Sequence, residues 1–366
     1  MRTLACNSPY GQGGIGQHFA QLVEESRADG LLGTYYAYRV KPGDADVGRP
    51  LLPSRLDRFL VEYTPLRWSP AWKTHIINDR YDRQVARVLE GPLTHFMGFA
   101  GKSLRSFRRA RALGATCLEL IAPNSHVENV RRLHDRAAEE TGIADSWLNQ
   151  AHLEKTLAEY EAADRIYVHS EYVRNSFLAA GIPERKLVRT FLRVDPRFSP
   201  PTHRRDDGCF RIVYVGRLDA TKGLPLLLKA FDRLDHPRKE LVLVGGWGTR
   251  RMNRFLAPWL RRPDVRHAPG DPLPALHAAD VFVHPSYEDG FGYAPAEALA
   301  CGTPVVVTAD TGMNEHVRDG INGFIVPTGR ADALLDRLQA VAARPLAQTR
   351  SLLGHSPSPT RPALFP

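Results

Sequence analysis

The fold of this 366-residue chain is decided by residues 210–223, which read FRIVYVGRLDATKG. The apolar run Phe210–Val215 is typical of a strand buried inside a parallel sheet. Gly216 allows the backbone to turn sharply where that strand ends, and Leu224–Leu234 is predicted to be the following helix. Further strands are predicted at Glu240–Val244, Asp280–His284, Thr303–Thr308 and Gly323–Val326. This alternation predicts a doubly wound parallel sheet in the second half of the chain.

The first half shows the same alternation. Thr3–Asn7 is a strand candidate, a glycine-rich turn follows at Gly11–Gly16, and a helix is predicted over Gln17–Ala28. Cys117–Ile121 is another apolar strand candidate, whereas residues 41–75 are rich in proline and are predicted to lack regular structure. The predicted fold class is α/β, with two Rossmann-like doubly wound parallel-sheet domains that face each other across a cleft.

A linker without hydrophobic periodicity predicts the boundary between these domains. Residues 196–208 are rich in proline and charge, and they separate an N-terminal domain at 1–195 from a C-terminal domain at 209–343. Residues 344–366 are rich in serine, threonine and proline and are expected to form a flexible tail. Ligands of doubly wound sheets bind at the carboxyl ends of strands, so functional residues are expected there.

Composition narrows the class of protein. Hydrophobic residues make up 43% of the chain and charged residues 24%, which argues against wholesale disorder. No run of about 18 apolar residues is present, so a membrane-spanning helix is not expected. The four cysteines lie far apart in the sequence, which disfavours a zinc ribbon and a disulfide framework. The expected location is the cytoplasm, with peripheral contact at the inner face of a membrane as a further interpretation.

The net charge of +9 is spread along the chain. Residues 1–207 carry 30 basic and 25 acidic residues, and the remainder carries 19 and 15. A basic arm that grips nucleic acid would concentrate its charge, so no nucleic-acid partner is expected. Mild attraction to anionic lipid or polyphosphate is one interpretation, and a solvated basic surface is the other.

Two segments of the second half carry candidate chemistry. Arg217 and Lys222 place two cations at the mouth of the sheet, where they match the charge of a diphosphate. In the second segment, Gly290 and Gly292 permit a loop, and a helix is predicted to start near Tyr293. The free N–H groups at that helix start attract anions.

Two acidic residues flank this helix start. Asp289 and Glu297 are acceptors for sugar and ribose hydroxyls, or alternatively a charge set that stabilises the start of the helix. No histidine lies near them at ligand spacing, so no metal site is expected.

These segments resemble a known enzyme family. Two segments are similar to donor-domain motifs of glycosyltransferase family 4. The first is Gly216-Arg217-Leu218-Asp219 with Lys222-Gly223-Leu224. The second is Asp289-Gly290-Phe291-Gly292 with Glu297-Ala298-Leu299-Ala300-Cys301-Gly302-Thr303-Pro304. With the loop and strand at 320–327, the resemblance covers most of residues 208–330. It implies the GT-B fold and retaining, nucleotide-sugar-dependent transfer to a hydroxyl acceptor.

The resemblance also implies residue roles. Arg217 and Lys222 would hold the donor diphosphate as catalytic cations, and Glu297 would bond the nucleotide ribose. Asp289 would meet hydroxyls of the transferred sugar, unless neighbouring Glu288 takes over because Asp is one methylene shorter than the Glu more common there. The remaining donor-binding positions are Gly216, Glu288, Gly290, Phe291, Gly292 and Tyr293. No cofactor and no metal are expected, because the nucleotide-sugar is a substrate.

The N-terminal glycine loop has two interpretations. By the resemblance, Gly13 and Gly14 would lie near the donor phosphate and the acceptor. As a dinucleotide fingerprint, the loop lacks the carboxylate expected about 20 residues on. The second predicted strand ends instead with Arg39, which disfavours NAD and leaves NADP as an alternative.

Two histidines are candidates on the acceptor side. His126 follows the strand Cys117–Ile121, and the resemblance implies a functional histidine there that faces the cleft. Its imidazole would orient the acceptor or bond a sugar hydroxyl; otherwise it is an ordinary loop residue. His95 is a further candidate.

A predicted helix over Lys102–Leu113 is strongly basic. Its cations are Lys102, Arg105, Arg108, Arg109 and Arg111. Positions 102, 105 and 109 would share a face, which indicates either contact with an anionic membrane or lipid diphosphate, or a solvated surface.

The sequence therefore predicts a retaining glycosyltransferase in glycan, polysaccharide or glycolipid biosynthesis. A sugar-nucleotide-binding protein without transferase activity and an NADP-dependent oxidoreductase are the alternatives. The donor base, the sugar and the acceptor stay open.

Overall fold

The computed structural model describes residues 1–343, except for the side chains of residues 55–58. The tail predicted at 344–366 lies outside the described residues. Contacts divide the chain into two units. The first unit comprises residues 1–131 and 146–192, and the second comprises residues 132–145 together with the chain from Arg193 onward. Residues 132–145, which the sequence analysis placed in the N-terminal domain, thus group with the second unit.

The first unit contains, within the described residues, a seven-stranded parallel sheet of order β3-β2-β1-β4-β5-β6-β7. Its strands are β1 Arg2–Pro9, β2 Leu32–Arg39, β3 Gly48–Pro50, β4 His95–Phe99, β5 Cys117–Ile121, β6 Arg165–Val168 and β7 Leu187–Arg189. The helices of this half are α1 Gly13–Ala28, α2 Arg55–Tyr63, α3 Pro70–Val88, α4 Leu104–Ala112, α5 Val127–Thr141, α6 Gln150–Ala162 and α7 Glu171–Ala179. Short 3₁₀ helices lie at Pro65–Trp68 and Glu184–Lys186.

Both faces of this sheet are buried. Along β1, Leu4 and Cys6 belong to one apolar cluster and Ala5 to another. Successive side chains of a strand point to opposite faces, so each face of the sheet has its own packed layer. This is the arrangement that helices on both sides of a parallel sheet require.

The second unit repeats this design with six parallel strands in the order β10-β9-β8-β11-β12-β13, counted over the described part of the chain. The strands are β8 Phe210–Val215, β9 Lys239–Val244, β10 Val265–His267, β11 Val281–His284, β12 Val305–Thr308 and β13 Gly323–Val326. The helices are α8 Leu224–Arg233, α9 Arg250–Leu256, α10 Leu273–Ala278, α11 Tyr293–Ala300 and α12 Ala331–Ala342, with 3₁₀ turns at Trp259–Arg261 and Gly312–His316.

One close approach in this unit requires glycine. Gly223 precedes α8 with a φ of +71°, and a Cβ there would lie 1.8 Å from the carbonyl oxygen of Pro285. Only glycine adopts that conformation without strain and leaves room for the neighbouring backbone. The end of β8 and the end of β11 are thereby held close together.

The fold class predicted above, with two Rossmann-like doubly wound sheets, is confirmed. The predicted bounds of Cys117–Ile121, Phe210–Val215 and Gly323–Val326 are also confirmed. The prediction that residues 41–75 lack regular structure is wrong, because β3 and α2 lie there and α3 begins at Pro70. The proline-rich sequence is compatible with these helices because Pro70 occupies a first-turn position of α3, where no N–H is needed.

No described helix is both long enough and apolar enough to cross a membrane.

Candidate functional site

The candidate site of the second unit lies at the carboxyl ends of β8 and β11. These two strands are hydrogen-bonded neighbours in the sheet, so the loops that follow them, 216–223 and 285–292, emerge side by side. Their backbones also touch, since the N–H of Tyr287 donates to the carbonyl of Thr221 at 2.9 Å. Functional residues predicted in both segments are thus brought to one edge of one sheet.

Asp219 organises the first loop and its two cations. The Asp219 carboxylate is buried, and its Oδ2 accepts from Nε of Arg217. Its Oδ1 accepts from the Thr221 hydroxyl and from the backbone N–H of Lys222, both at 2.8 Å. The Arg217 side chain is 46% exposed, so part of the guanidinium remains open to solvent while its stem is fixed.

Lys222 reaches across to the second loop. Its Nζ lies 2.8 Å from Oδ2 of Asp289 and 3.2 Å from the carbonyl oxygen of Glu288. Burial favours the neutral amine, but Asp289 and Glu288 outweigh it and raise the pKa of Lys222. The ammonium is therefore charged and fixed in position at neutral pH.

Asp289 is ionised for the converse reason. Nε2 of the buried His284 lies 3.2 Å from the same Oδ2 that Lys222 contacts. Burial works against ionisation, but Lys222 and His284 outweigh it and hold the pKa of the Asp289 carboxyl below its ordinary value. Its Oδ1 makes no hydrogen bond to any residue that the structure describes, so this oxygen can accept from a hydroxyl.

The predicted pair of acidic residues is divided between two environments. Glu297 lies in α11 and is buried, which raises the pKa of its carboxyl to about 7 although Arg197 partly offsets this. Glu288 is buried beside Asp289, and its backbone carbonyl accepts from the Ser286 hydroxyl at 2.7 Å. The predicted pair thus consists of one fixed anion, Asp289, and one carboxyl that titrates near neutrality, Glu297.

The loop before α11 is shaped by glycine and aromatic packing. Gly292 has a φ of +84° and precedes Tyr293, the first residue of α11. The ring of Phe291 is buried and packs edge-on against the Tyr293 ring at 5.3 Å. With Gly216 and Gly290 in the neighbouring turns, all donor-binding positions predicted in the second half lie in the loops after β8 and β11 or in α11.

Sequence reasoning missed Trp247, an exposed aromatic residue at this edge. Trp247 follows β9, and its side chain is 52% exposed. Its ring lies against the ring of His267 in a T-shaped geometry with centroids 4.4 Å apart, and Nε2 of His267 lies 2.8 Å from the carbonyl oxygen of Gly245. Trp247 also forms a backbone bridge with Leu218, so it lies beside the loop of Arg217. The sequence signal was a tryptophan between glycines directly after a strand.

Residues 132–145 were missed as well. The carboxylate of Asp145 accepts from the N–H of Ala220 at 3.3 Å and from the hydroxyl of Thr249. The Tyr287 hydroxyl donates to Glu140 at 2.7 Å. This segment therefore contacts both loops of the site, although it precedes them in the sequence and nothing in its local pattern indicates such contacts.

His134 belongs to the same segment and is buried. Burial, together with the charges of Lys222 and Arg217, lowers the pKa of His134 to about 3. A neutral imidazole thus lies close to the two cations.

The predicted residues of the first unit lie at or just before the starts of two helices and at the end of one strand. Gly13 and Gly14 are exposed at the start of α1, and Gly16 packs so closely on β1 that a Cβ would meet the carbonyl oxygen of Pro9 at 2.3 Å. His126 is buried against Tyr160 and Phe177. Arg39 ends β2 and is exposed.

His126 has local structural contacts. Its Nδ1 faces the N–H of Glu128 at 3.4 Å, at the start of α5, and burial lowers the pKa of the imidazole. These contacts orient the beginning of that helix. The catalytic role given to His126 above stays a prediction.

The basic helix differs from its prediction. α4 begins at Leu104, so Lys102 precedes the helix, and its side chain is 7% exposed with Nζ donating to Asn7 at 2.6 Å. Arg105 pairs with Asp79 at 3.1 Å and Arg111 with Asp164 at 2.5 Å. The predicted shared face of positions 102, 105 and 109 is wrong, because the loop before α4 turns Lys102 into the protein.

A cluster of three potential metal ligands lies in the first unit, at His95, Cys117 and Glu119, whose ligand atoms are within 4.8 Å of one another. The Glu119 carboxylate is already bound by Arg2 at 3.0 and 3.2 Å and by the Tyr167 hydroxyl at 2.6 Å. The Arg2 guanidinium competes with a metal cation for the same oxygens. His95, predicted above as a candidate on the acceptor side, is the first residue of β4, so it lies at the amino end of the strand.

The fold is that of known glycosyltransferases. Sucrose-phosphate synthase from Thermosynechococcus elongatus superimposes with a TM-score of 0.72 at 21% identity, over 96% of this chain and 92% of that one. WaaG, a glycosyltransferase involved in lipopolysaccharide biosynthesis, gives 0.70 at 16% identity over 97% and 93%. HepE from Anabaena, in complex with UDP and glucose, gives 0.64 at 16% identity over 96% and 92%. The protein thus has the GT-B fold class predicted above.

Sequence comparison finds similar proteins for the second half of the chain. Residues 197–351 match the family model of glycosyl transferases group 1. A D-inositol 3-phosphate glycosyltransferase of Kribbella flavida is 35% identical over 159 residues, covering 39% of this chain and 37% of that protein. Its counterpart in Salinispora tropica is 42% identical over 147 residues, covering 40% and 29%. The chain spans only 37% and 29% of the length of these two curated relatives, and the match confirms the family resemblance over that part of the chain.

Proposed function

We propose that this protein is a glycosyltransferase that moves a sugar from a nucleotide-sugar donor to a hydroxyl group of an acceptor, with retention of the anomeric configuration. The observation that carries the proposal is that two cations are fixed at the edge of one sheet, Arg217 by Asp219 and the ammonium of Lys222 by Asp289. Two fixed cations beside the start of α11 form an anion site suited to a diphosphate.

The reaction requires stabilisation of the negative charge that develops on the leaving group. The bond between the anomeric carbon and the diphosphate oxygen breaks, and its electron pair stays on the nucleoside diphosphate. A new bond forms between that carbon and the acceptor oxygen on the same face of the sugar, and the acceptor proton passes to the departing diphosphate. Arg217, Lys222 and the N–H groups that begin α11 oppose the charge that develops. Since these groups supply the positive charge, we propose a mechanism without a metal.

The remaining residues suit the other parts of the donor. Oδ1 of Asp289 is available to accept from a hydroxyl of the transferred sugar, and the Glu297 carboxyl suits the ribose. The half-exposed ring of Trp247 offers a stacking surface for the nucleobase. HepE was solved with UDP, so UDP is the first nucleotide to test.

The test is loss of turnover on removal of either cation. Arg217→Ala and Lys222→Ala should each lower the rate of sugar transfer, or of donor hydrolysis, by about 10²-fold or more, because an oriented charge at the leaving group is lost. Arg217→Lys should retain more activity than Arg217→Ala. Arg233→Ala is the matched control, because Arg233 is exposed in the last turn of α8.

Turnover and stereochemistry separate the outcomes. Wild-type rates in the Arg217→Ala and Lys222→Ala variants would overturn the proposed roles, and donor binding without turnover on any acceptor would favour a binding protein. Proton NMR of the first-formed product should show the anomeric configuration of the donor, and the opposite configuration would contradict retention.

A further inference from the structure

The first unit exposes an unusual group of aromatic side chains. Four of the six exposed large aromatic side chains among the described residues lie within residues 52–72. Together with one leucine they form what we call the aromatic face: Leu52, Phe59, Tyr63, Trp68 and Trp72, each between 49% and 70% exposed. Large apolar side chains exposed within one short segment are typical of an interaction site.

The geometry of α2 turns its aromatic residues outward. Val61 is buried, whereas Phe59 and Tyr63 lie one helical turn apart and their rings stack with centroids 5.8 Å apart. Positions i and i+4 share one face of a helix. The helix therefore packs one side on the protein and presents a pair of aromatic rings on the other.

Cations lie among these rings. The Arg67 guanidinium lies 4.7 Å from the centroid of the Trp68 ring. Residues 51–75 contain four basic and two acidic residues, a net charge of +2. A sequence segment of this composition suits the interfacial zone of a bilayer, where tryptophan and tyrosine rings sit at headgroup depth and basic residues meet anionic lipid.

An amphipathic pocket lies in the same segment. It has a volume of about 290 Å³, and its lining includes the apolar residues Val61, Ile77 and Tyr81, the cations Lys73 and Arg80, and the acidic residue Glu62. Two cations against one carboxylate leave this wall net positive, which suits a molecule with a hydrocarbon part and an anionic head.

We propose that the aromatic face docks this protein on an anionic phospholipid membrane. Charge distinguishes this partner from a second copy of the chain, because a two-fold contact would place the same cations against each other. The inference does not depend on the proposed function, and it differs from the membrane contact considered for the basic helix, whose Lys102 is buried.

The experiment is vesicle flotation with the full chain. Vesicles of phosphatidylcholine with 30% phosphatidylglycerol should carry the protein, and pure phosphatidylcholine vesicles should not. The double variants Trp68→Ser/Trp72→Ser and Phe59→Ser/Tyr63→Ser should each bind at least tenfold more weakly, because interfacial aromatic residues supply buried apolar area. Raising NaCl from 50 to 500 mM should also weaken binding, since salt screens the cations.

Ile321→Ser is the matched control, because Ile321 is a large apolar residue as exposed as Trp72 but lies in the second unit. This variant should bind vesicles like the wild type, and all variants should melt at the wild-type temperature. Absence of wild-type binding to the anionic vesicles, or unchanged binding by both double variants, would overturn the proposal. So would a dimer, seen by light scattering, that the Trp68→Ser/Trp72→Ser variant converts to a monomer, since the face would then be an interface between copies. Intact nucleotide binding in a protein that ignores vesicles would overturn this inference alone.

Discussion

At the residue scale, the site depends on charges that hold one another in place. Asp219 accepts a hydrogen bond from the Arg217 guanidinium on one carboxylate oxygen and one from the N–H of Lys222 on the other. Asp289 accepts a hydrogen bond from the ammonium of Lys222. Breaking a buried pair leaves a charge without compensation. Asp219 is therefore a positioning residue, although it need not touch the donor.

Glu297 gives this site a pH dependence. Its carboxyl has an ordinary pKa of 4.5, which burial raises to about 7 in the folded protein. The folded state thus binds the proton more tightly than the unfolded state. The associated stability is fully present below pH 4.5 and is lost as the pH rises through about 7.

The wild-type free energy of unfolding should therefore fall by about 2 to 3 kcal/mol between pH 5 and pH 7.5 relative to Glu297→Gln, at 1.36 kcal/mol per unit. Urea unfolding of both proteins at each pH measures the difference. Parallel pH profiles for the two proteins would contradict the raised pKa.

At the element scale, the helix starts of the second unit depend on glycine. Gly223, before α8, has a positive φ, and a Cβ added there would lie 1.8 Å from a backbone oxygen. A Cβ added to Gly246, after β9, would have no atom within 4 Å. The two glycines thus differ in what a methyl group would meet.

Gly223→Ala should destabilise the protein by at least about 2 kcal/mol, because it combines a strained φ with a backbone clash. Gly246→Ala should change stability by less than about 0.5 kcal/mol. Denaturant unfolding measures the stability of both variants. Equal stability would contradict the prediction and show that the loop after β11 shifts to relieve the clash.

At the scale of the whole molecule, each unit has its own sheet and its own apolar clusters. Bound ligand stabilises the folded state by mass action. UDP at about 100 times its dissociation constant should add about 2.7 kcal/mol and raise the melting temperature by about 5 to 10 °C.

Thermal shift with UDP, GDP and NADP tests this expectation. A shift with UDP or GDP that the Lys222→Ala variant loses would support a nucleoside diphosphate site at the end of β8. A shift with NADP alone would instead favour the oxidoreductase alternative raised by Gly11–Gly16.

Much of the second unit was predictable because its signals are local. The β-branched run at Phe210–Val215 and the glycines at 216 and 223 encode strand, turn and helix within a few residues of one another. The cations Arg217 and Lys222 belong to the same short segment, so their placement at the sheet edge followed from the strand that precedes them.

What the sequence alone determined was therefore the fold class and the segment that carries the cations, since both depend on neighbours along the chain. Only the tertiary structure decided that Lys222 pairs with Asp289, 67 residues away, that residues 132–145 support the second unit, that Lys102 is buried and that Trp68 and Trp72 are exposed. Burial and pairing depend on contacts between residues distant in sequence, and no local pattern encodes them.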